Sequence, residues 1–150
     1  MNPIVVIPAR MASTRLPGKP LADIAGQPMI VRVWRQAVAA GVGPVIAAVG
    51  EPAIAQAIES AGGRAVITDA GLPSGTDRVF AALKAIDREG EHDVVVNLQG
   101  DLPALDPKYI RAVVDALAAT GADIATLAAE ITVPADCDNP SVVKAVRPCS

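Results

Sequence analysis

Residues 4–20 read Ile4-Val5-Val6-Ile7-Pro8-Ala9-Arg10-Met11-Ala12-Ser13-Thr14-Arg15-Leu16-Pro17-Gly18-Lys19-Pro20, and this stretch decides the fold. Four consecutive β-branched residues, apolar towards both faces, have the length and character of a strand buried in a parallel sheet. The chain then changes abruptly to proline, glycine, small hydroxyls and three cations. A buried strand that empties into a basic loop fits an open α/β sheet, in which ligands sit beyond the carboxyl ends of the strands.

The rest of the chain repeats that alternation. Val45–Val49, Ala65–Thr68, Asp93–Leu98 and Asp123–Ala128 are further apolar runs of strand length, read as buried on both faces. Ser141–Val146 is a candidate for another strand. Between the runs, Ile30, Val33, Trp34, Ala37 and Val38 follow helical spacing and are closed by Gly41. Ile54, Ala57, Ile58 and Ala61 repeat it behind Pro52, with Gly62-Gly63 as the stop. Val79, Leu83 and Ile86 form a third stripe, capped by Ser74 or Thr76 and stopped at Gly90. Ile110, Val113, Val114 and Leu117 form a fourth, opened by Asp106-Pro107. Strand and helix in this order predict right-handed crossovers and a three-layer α/β fold around a mostly parallel, doubly wound sheet. The loops at Pro8–Pro20, Thr68–Asp77 and Gln99–Ala104 then share the ligand end. No repeat, low-complexity tract or linker interrupts the pattern.

Composition narrows the function classes. At 150 residues the chain is one domain in length. Its 51% hydrophobic and 19% charged residues exclude a disordered chain. That hydrophobicity comes from 29 Ala and 19 Val, against one each of Trp, Tyr and Phe, so there is no stacking platform for single-stranded nucleic acid. A net charge of −3 argues against a general nucleic-acid binder. The charge is unevenly spread: residues 1–35 hold five basic side chains against Asp23 alone, and the remainder holds eight against fifteen acidic ones. Such an imbalance predicts a local anion site. Cys137 and Cys149 lack zinc or redox spacing. No apolar stretch approaches the ~20 residues of a membrane span, and residues 1–10 lack a secretory-signal pattern, so a cytoplasmic protein is expected.

Arg10, Arg15 and Lys19 within ten residues, beside Gly18 and small hydroxyls, suit a polyphosphate cradle, since guanidinium forks and an ammonium both bind phosphate oxygens. The alternative is a solvated basic loop. Neither the P-loop spacing nor a Gly-x-Gly-x-x-Gly fingerprint is present. Asp101, just past Val94–Leu98, is placed either to hold a hard cation through oxygen or to cap the next helix. Ser74 has the same two readings, base contact or cap. His92 reads as a surface residue, Asp136 and Asp138 as loop charges, and Trp34 and Tyr109 as helix-face residues.

Pro8-Ala9-Arg10 followed by Ser13-Thr14-Arg15-Leu16-Pro17-Gly18-Lys19-Pro20-Leu21 resembles the signature of the 3-deoxy-manno-octulosonate (KDO) cytidylyltransferases. The likeness continues through Gly26–Ile30, Ser74-Gly75-Thr76-Asp77-Arg78, Val96–Asp101, Asn139-Pro140 and Val143-Lys144, covering nearly the whole chain. It implies a nucleotide-sugar-transferase type of sheet and Mg²⁺-dependent conversion of CTP and KDO to CMP-KDO and pyrophosphate, for lipopolysaccharide synthesis. By resemblance, Arg10, Arg15 and Lys19 hold the triphosphate and Ala9 offers backbone groups to the nucleotide. Ser74, Gly75 and Arg78 read the cytosine and anchor the nucleotide, Gln99 lies near the base, and Asp101 ligates the metal. Lys19, Arg10 and Asp101 form the catalytic set. Other readings are a related sugar nucleotidyltransferase, such as an acylneuraminate cytidylyltransferase, or a nucleotide-binding fragment without catalysis.

The chain departs from the family pattern in two places. Val49-Gly50 stand where Thr-Asp is common, so a polar contact is either absent or supplied by Glu51. Leu102 stands where the metal loop usually carries Glu. Family members also continue past the position of Ser150, into a segment that supplies most sugar contacts, a second metal-binding Asp and much of a homodimer contact. Residues 1–150 are therefore expected to be the nucleotide-binding α/β part of a longer single-domain enzyme.

Overall fold

In the computed structural model, which describes residues 1–12 and 17–146, the opening stretch becomes the centre of the sheet. The chain runs through β1 (Pro3–Ala9), a single 3₁₀ turn at Lys19–Leu21, β2 (Asp23–Ile24), β3 (Gln27–Pro28), α1 (Met29–Ala40) and β4 (Val45–Val49). It continues through α2 (Pro52–Ser60), β5 (Arg64–Ile67), α3 (Gly75–Ile86), β6 (Val94–Asn97), α4 (Pro107–Thr120) and the four-residue α5 (Ala135–Asp138). The main sheet has the order β5-β4-β1-β6 with every pair parallel, and β2 and β3 form a separate antiparallel ribbon.

This order follows from burial. β1 and β4 are the most apolar strands and take the two inner places, where Ile4, Val5, Val6, Ile7 and Ile46–Val49 are sealed from water. Each such Ile or Val contributes on the order of 1.5–3 kcal/mol. Residues alternate between two cores. Val5, Ile7, Ala47 and Val49 meet Ile30, Val33 and Ala37 of α1, Ile54 and Ile58 of α2, and Ile110 of α4. Ile4, Val6, Ile46 and Ala48 meet Val79 and Ala82 of α3 on the other face. Helices thus cover both faces, and the fold is the three-layer, doubly wound α/β sheet that the sequence predicts. Arg111 of α4 also donates Nη1 hydrogen bonds to Ala39 O (3.3 Å) and Ala40 O (3.2 Å), tying α4 to the last carbonyls of α1.

The outer strands depart from expectation. β5 and β6 flank the sheet and are only part-buried, with Ile67 and Val95 exposed. The strand expected at Asp123–Ala128 does not form, nor does the candidate at Ser141–Val146, of which residues 141–146 are described. A strand exists through its ladder partner, whatever its propensity. Among the described residues no strand pairs with the outer edge of β6, and Ile124 stands 84% exposed. α3 ends at Ile86, with Asp87 at the cap position, four residues before the expected Gly90 stop.

The chain's first crossover builds outward from β1 to β4, and α3 then carries it back past both to β6. Strand order therefore reverses between β1 and β6, and a crevice at their carboxyl ends is the topological consequence.

Candidate active site

Pro8 opens that crevice. Along β1, Val6 O accepts from Leu98 N (3.0 Å) on the β6 side and Ala9 O accepts from Gly50 N (3.0 Å) on the β4 side. By the alternation of a strand, the N–H that Pro8 lacks would face β6, whose pairing has already ended at Val6–Asn97. The proline therefore costs no ladder bond where the two strands part. Gly100, in the turn after β6, fills this corner. A Cβ there would lie 2.8 Å from Pro8 O and 3.3 Å from Ile30 Cδ1, so only glycine lets the backbone pass so close.

The crevice is a cavity of about 730 Å³. Ala9, Arg10 and Lys19 reach it from the first loop, Ser74, Gly75 and Arg78 from the start of α3, and Gln99 and Asp101 from the turn after β6. Residues far apart in sequence thus converge because each lies at the carboxyl end of a strand. Of the sequence-predicted site residues only Arg15 is not among them; it lies outside the described residues.

Lys19 sits on the 3₁₀ turn, behind Gly18 in the left-handed conformation (φ 73°), and its Nζ donates to Asp101 Oδ2 at 2.8 Å. Both side chains are substantially exposed to the cavity, 38% and 50%. Asp101 is not the cap of α4: that place belongs to Asp106, whose Oδ1 accepts from Lys108 N at 2.9 Å. Among the described residues Asp101 therefore takes no local backbone role, and it offers its carboxylate to the cavity. Ser74, in contrast, is the cap of α3. Its Oγ accepts from Asp77 N (3.1 Å) and donates to Asp77 Oδ2 (2.5 Å), which leaves the cavity the edge of a committed hydroxyl.

Arg78 is the one buried charged side chain among the described residues, 2% exposed. Its Nη1 donates to Thr68 Oγ1 (2.6 Å) and its Nη2 to Ala70 O (3.3 Å), and Thr68 Oγ1 donates in turn to Val49 O (3.1 Å). Burial pushes the guanidinium below its ordinary value; Glu51 and Asp69 oppose this, and neighbouring Arg10 reinforces it. The group stays cationic at neutral pH. Gln99 Nε2 donates to Asn97 Oδ1 at 3.3 Å.

The surroundings of both departures are visible in the structure. Val49 is sealed in the core, and its carbonyl is bonded by Thr68. Gly50 leaves room for the cations: a Cβ there would stand 3.2 Å from Arg78 Nη1 and 3.5 Å from Arg10 Cβ. Glu51 turns towards the first loop and accepts from Met11 N at 2.9 Å. Leu102 is 41% exposed and brings no oxygen. Among the described residues no three His, Cys, Asp or Glu side chains gather as a metal cluster. A lone hard-oxygen carboxylate beside cations suits a divalent ion that takes most of its ligands from phosphate and water.

The remaining candidates lie elsewhere. His92 and Trp34 line a second cavity of about 580 Å³ at the opposite, amino end of the strands, where His92 Nδ1 lies 3.2 Å from Asn2 O. Cys137 is an exposed thiol on α5, and Cys149 is outside the described residues. Among the described residues no helix is long and apolar enough to cross a membrane.

The sequence profile described as cytidylyltransferase matches residues 4–148. The chain belongs to the cytidylyltransferase family. A 3-deoxy-manno-octulosonate cytidylyltransferase of Parvibaculum lavamentivorans is 63% identical over 145 residues, 97% of this chain and 56% of that protein. One of Rhodospirillum rubrum is 62% identical over 145 residues, 96% of this chain and 58% of that protein. The structure of a CMP:2-keto-3-deoxy-manno-octonic acid synthetase complexed with CTP superposes with a TM-score of 0.75 at 39% identity, over 81% of this chain and 49% of that one. This cytidylyltransferase-family chain thus spans somewhat more than half the length of the curated relatives it matches. The sequence names Glu51 only as a stand-in for an absent polar contact; its bond to Met11 and the packing roles of Gly50 and Gly100 are not foreseen there. A carboxylate directly after a strand was the available signal for Glu51; the two glycines act through close approaches that only the folded chain reveals.

Proposed function

We propose that the cavity beyond β1 and β6 is the CTP site of a KDO cytidylyltransferase, the activity carried by relatives of which this chain spans somewhat more than half. The observation that carries this reading is the Lys19–Asp101 pair at 2.8 Å, a cation and a carboxylate that meet in the cavity lining and whose side chains take no other hydrogen bond among the described residues.

In this reading Arg10, Arg15 and Lys19 hold the triphosphate, and the Ala9 backbone approaches the nucleotide. Gly75 and Gln99 flank the base, Ser74 adds its hydroxyl edge, and Arg78 serves as a buried cation beneath them. The KDO anomeric hydroxyl gives up its proton to water and attacks the α-phosphorus in line, a new P–O bond forms, and the bond to the α–β bridging oxygen breaks to release pyrophosphate. Positioning and neutralisation of growing charge dominate such transfers. Lys19 is placed to leave Asp101 and follow the charge on the phosphates. Asp101, with phosphate oxygens, would hold Mg²⁺, which supplies Lewis-acid neutralisation of the phosphates when bound. Residues 1–150 are then the nucleotide-binding part of a longer cytoplasmic enzyme, homodimeric at full length, acting on CTP and an acidic sugar for lipopolysaccharide synthesis, with no nucleic-acid or membrane partner.

A second reading, nucleotide binding without turnover, is favoured by the 56–58% coverage of the relatives. Pyrophosphate release with CTP, Mg²⁺ and KDO tests both, with N-acetylneuraminate in place of KDO as the control. Release that requires KDO is the expected result. Retained CTP binding without release selects the second reading, and absence of CTP binding overturns both.

A further inference from the structure

We infer that Glu51 is a positioning residue, clamping the base of the cationic loop through the backbone of Met11, and that it acts as a hydrogen-bond acceptor rather than as a charge. Glu51 occupies the cap position of α2, yet its carboxylate makes no cap bond. It reaches across forty residues of sequence instead, and Oε2 accepts from Met11 N at 2.9 Å. The carbonyl of the same residue is also held, accepting from Gly18 N at 3.1 Å. Both backbone groups of Met11 are thus bound, one to the end of β4 and one to the far end of the loop. Gly18 suits that closure, since its φ of 73° reverses the chain and places Lys19 next in line. Arg10 precedes the clamp and Lys19 follows its closure, so these two cations of the cavity are registered by one residue.

A carboxylate close to a phosphate site would ordinarily repel its ligand. Here Glu51 is half-buried and its oxygen is used by an amide, while its charge also acts on Arg78, which Arg10 neighbours. Acceptor and charge therefore make opposite predictions for nucleotide affinity, and the neutral isostere separates them. The affinity arm of the test rests on the proposed CTP site; the exchange arm does not.

The experiment compares wild type, Glu51→Gln and Glu51→Ala by amide hydrogen exchange without nucleotide and by calorimetric titration with CTP. Glu51→Ala is expected to expose the Met11 amide, raising its exchange about tenfold, the upper range for a lost ordinary hydrogen bond. The amides of Ile7 and Ala47 should keep wild-type protection, which shows that the sheet has folded. Glu51→Gln, whose side-chain carbonyl still accepts, is expected to restore Met11 protection and to bind CTP at least as tightly as wild type. Glu51→Ala should bind about tenfold more weakly. Unchanged Met11 exchange in Glu51→Ala, or CTP affinity lost equally in both variants, overturns the inference. Wild type that fails to bind CTP overturns the proposed function, while the Met11 exchange still decides the clamp.

Discussion

Replacing Asp101 by Asn should have opposite effects on CTP binding with and without magnesium. Without a metal, Asp101 holds Lys19 at 2.8 Å, and an incoming triphosphate must compete with the carboxylate for that ammonium. Both partners are well exposed, 38% and 50%, so solvent screens the pair and it is worth at most about 1 kcal/mol. Folding should therefore change little, with a thermal midpoint within a few degrees of wild type. Releasing Lys19 should tighten metal-free CTP binding by up to about fivefold, the equivalent of that 1 kcal/mol. With magnesium the order reverses, because the carboxylate proposed to hold the ion is gone. The wild-type gain on adding magnesium should vanish in Asp101→Asn, together with any pyrophosphate release. Calorimetric titrations of CTP into both proteins, in EDTA and in Mg²⁺, check all four combinations. Weaker metal-free binding in Asp101→Asn, or an intact magnesium dependence, would refute the hand-over of Lys19 from carboxylate to phosphate.

Other consequences follow from packing and charge. Gly100→Ala places a Cβ 2.8 Å from Pro8 O and should cost about 1–3 kcal/mol in urea denaturation, with weakened CTP binding; wild-type stability would show that the turn relaxes freely. Arg78→Met removes the donors to Thr68 Oγ1 and Ala70 O and should destabilise by about 1–3 kcal/mol, again by urea denaturation, whereas a neutral result would mean these bonds contribute nothing net. The carboxyls of Asp87, Asp93 and Asp106 are held below their ordinary value of 3.8, chiefly by backbone hydrogen bonds from His92, Asn2 and Lys108 respectively. A depressed folded-state pKa gives stability that is present above the ordinary value and lost as pH falls through the folded one. The thermal midpoint should thus fall below about pH 4, less steeply in the Asp87→Asn, Asp93→Asn, Asp106→Asn triple variant; equal slopes would contradict the assignment.

Where an element depends on local capping or on a long apolar run, the structure matches what the sequence predicts. Val45–Val49 is a strand at the expected bounds, α1 closes at Gly41 with φ 65°, and Asp106-Pro107 opens α4. These features depend on local capping and on apolar runs long enough to be buried anywhere in the sheet. Asp123–Ala128 has an equally apolar run but no ladder to join, and strand formation depends on that partner. The β2–β3 ribbon escaped the sequence because its strands are two residues each; Ala25 (φ 49°) and Gly26 (φ 81°) turn it, and Arg32 Nε pins it through Ile24 O at 2.6 Å. At the site, the cationic loop and Asp101 were legible as residue types in a basic segment and after a strand. The sequence left open whether Asp101 caps α4; Asp106 answers that. The burial of Arg78 and the reach of Glu51 to Met11 depend on how β4, β5 and α3 stack, which no local pattern encodes.

In the function proposed above, nucleotide binds at the carboxyl ends of β1 and β6. An NMR titration of the isotope-labelled chain with CTP and Mg²⁺ tests it most directly. The amides of Ala9, Gly75, Gln99 and Gly100 should shift and saturate together, while Gly63, Arg64 and His92 around the opposite cavity stay in place. Shifts confined to that opposite cavity, or none at millimolar CTP, would rule out a nucleotide site beyond β1 and β6.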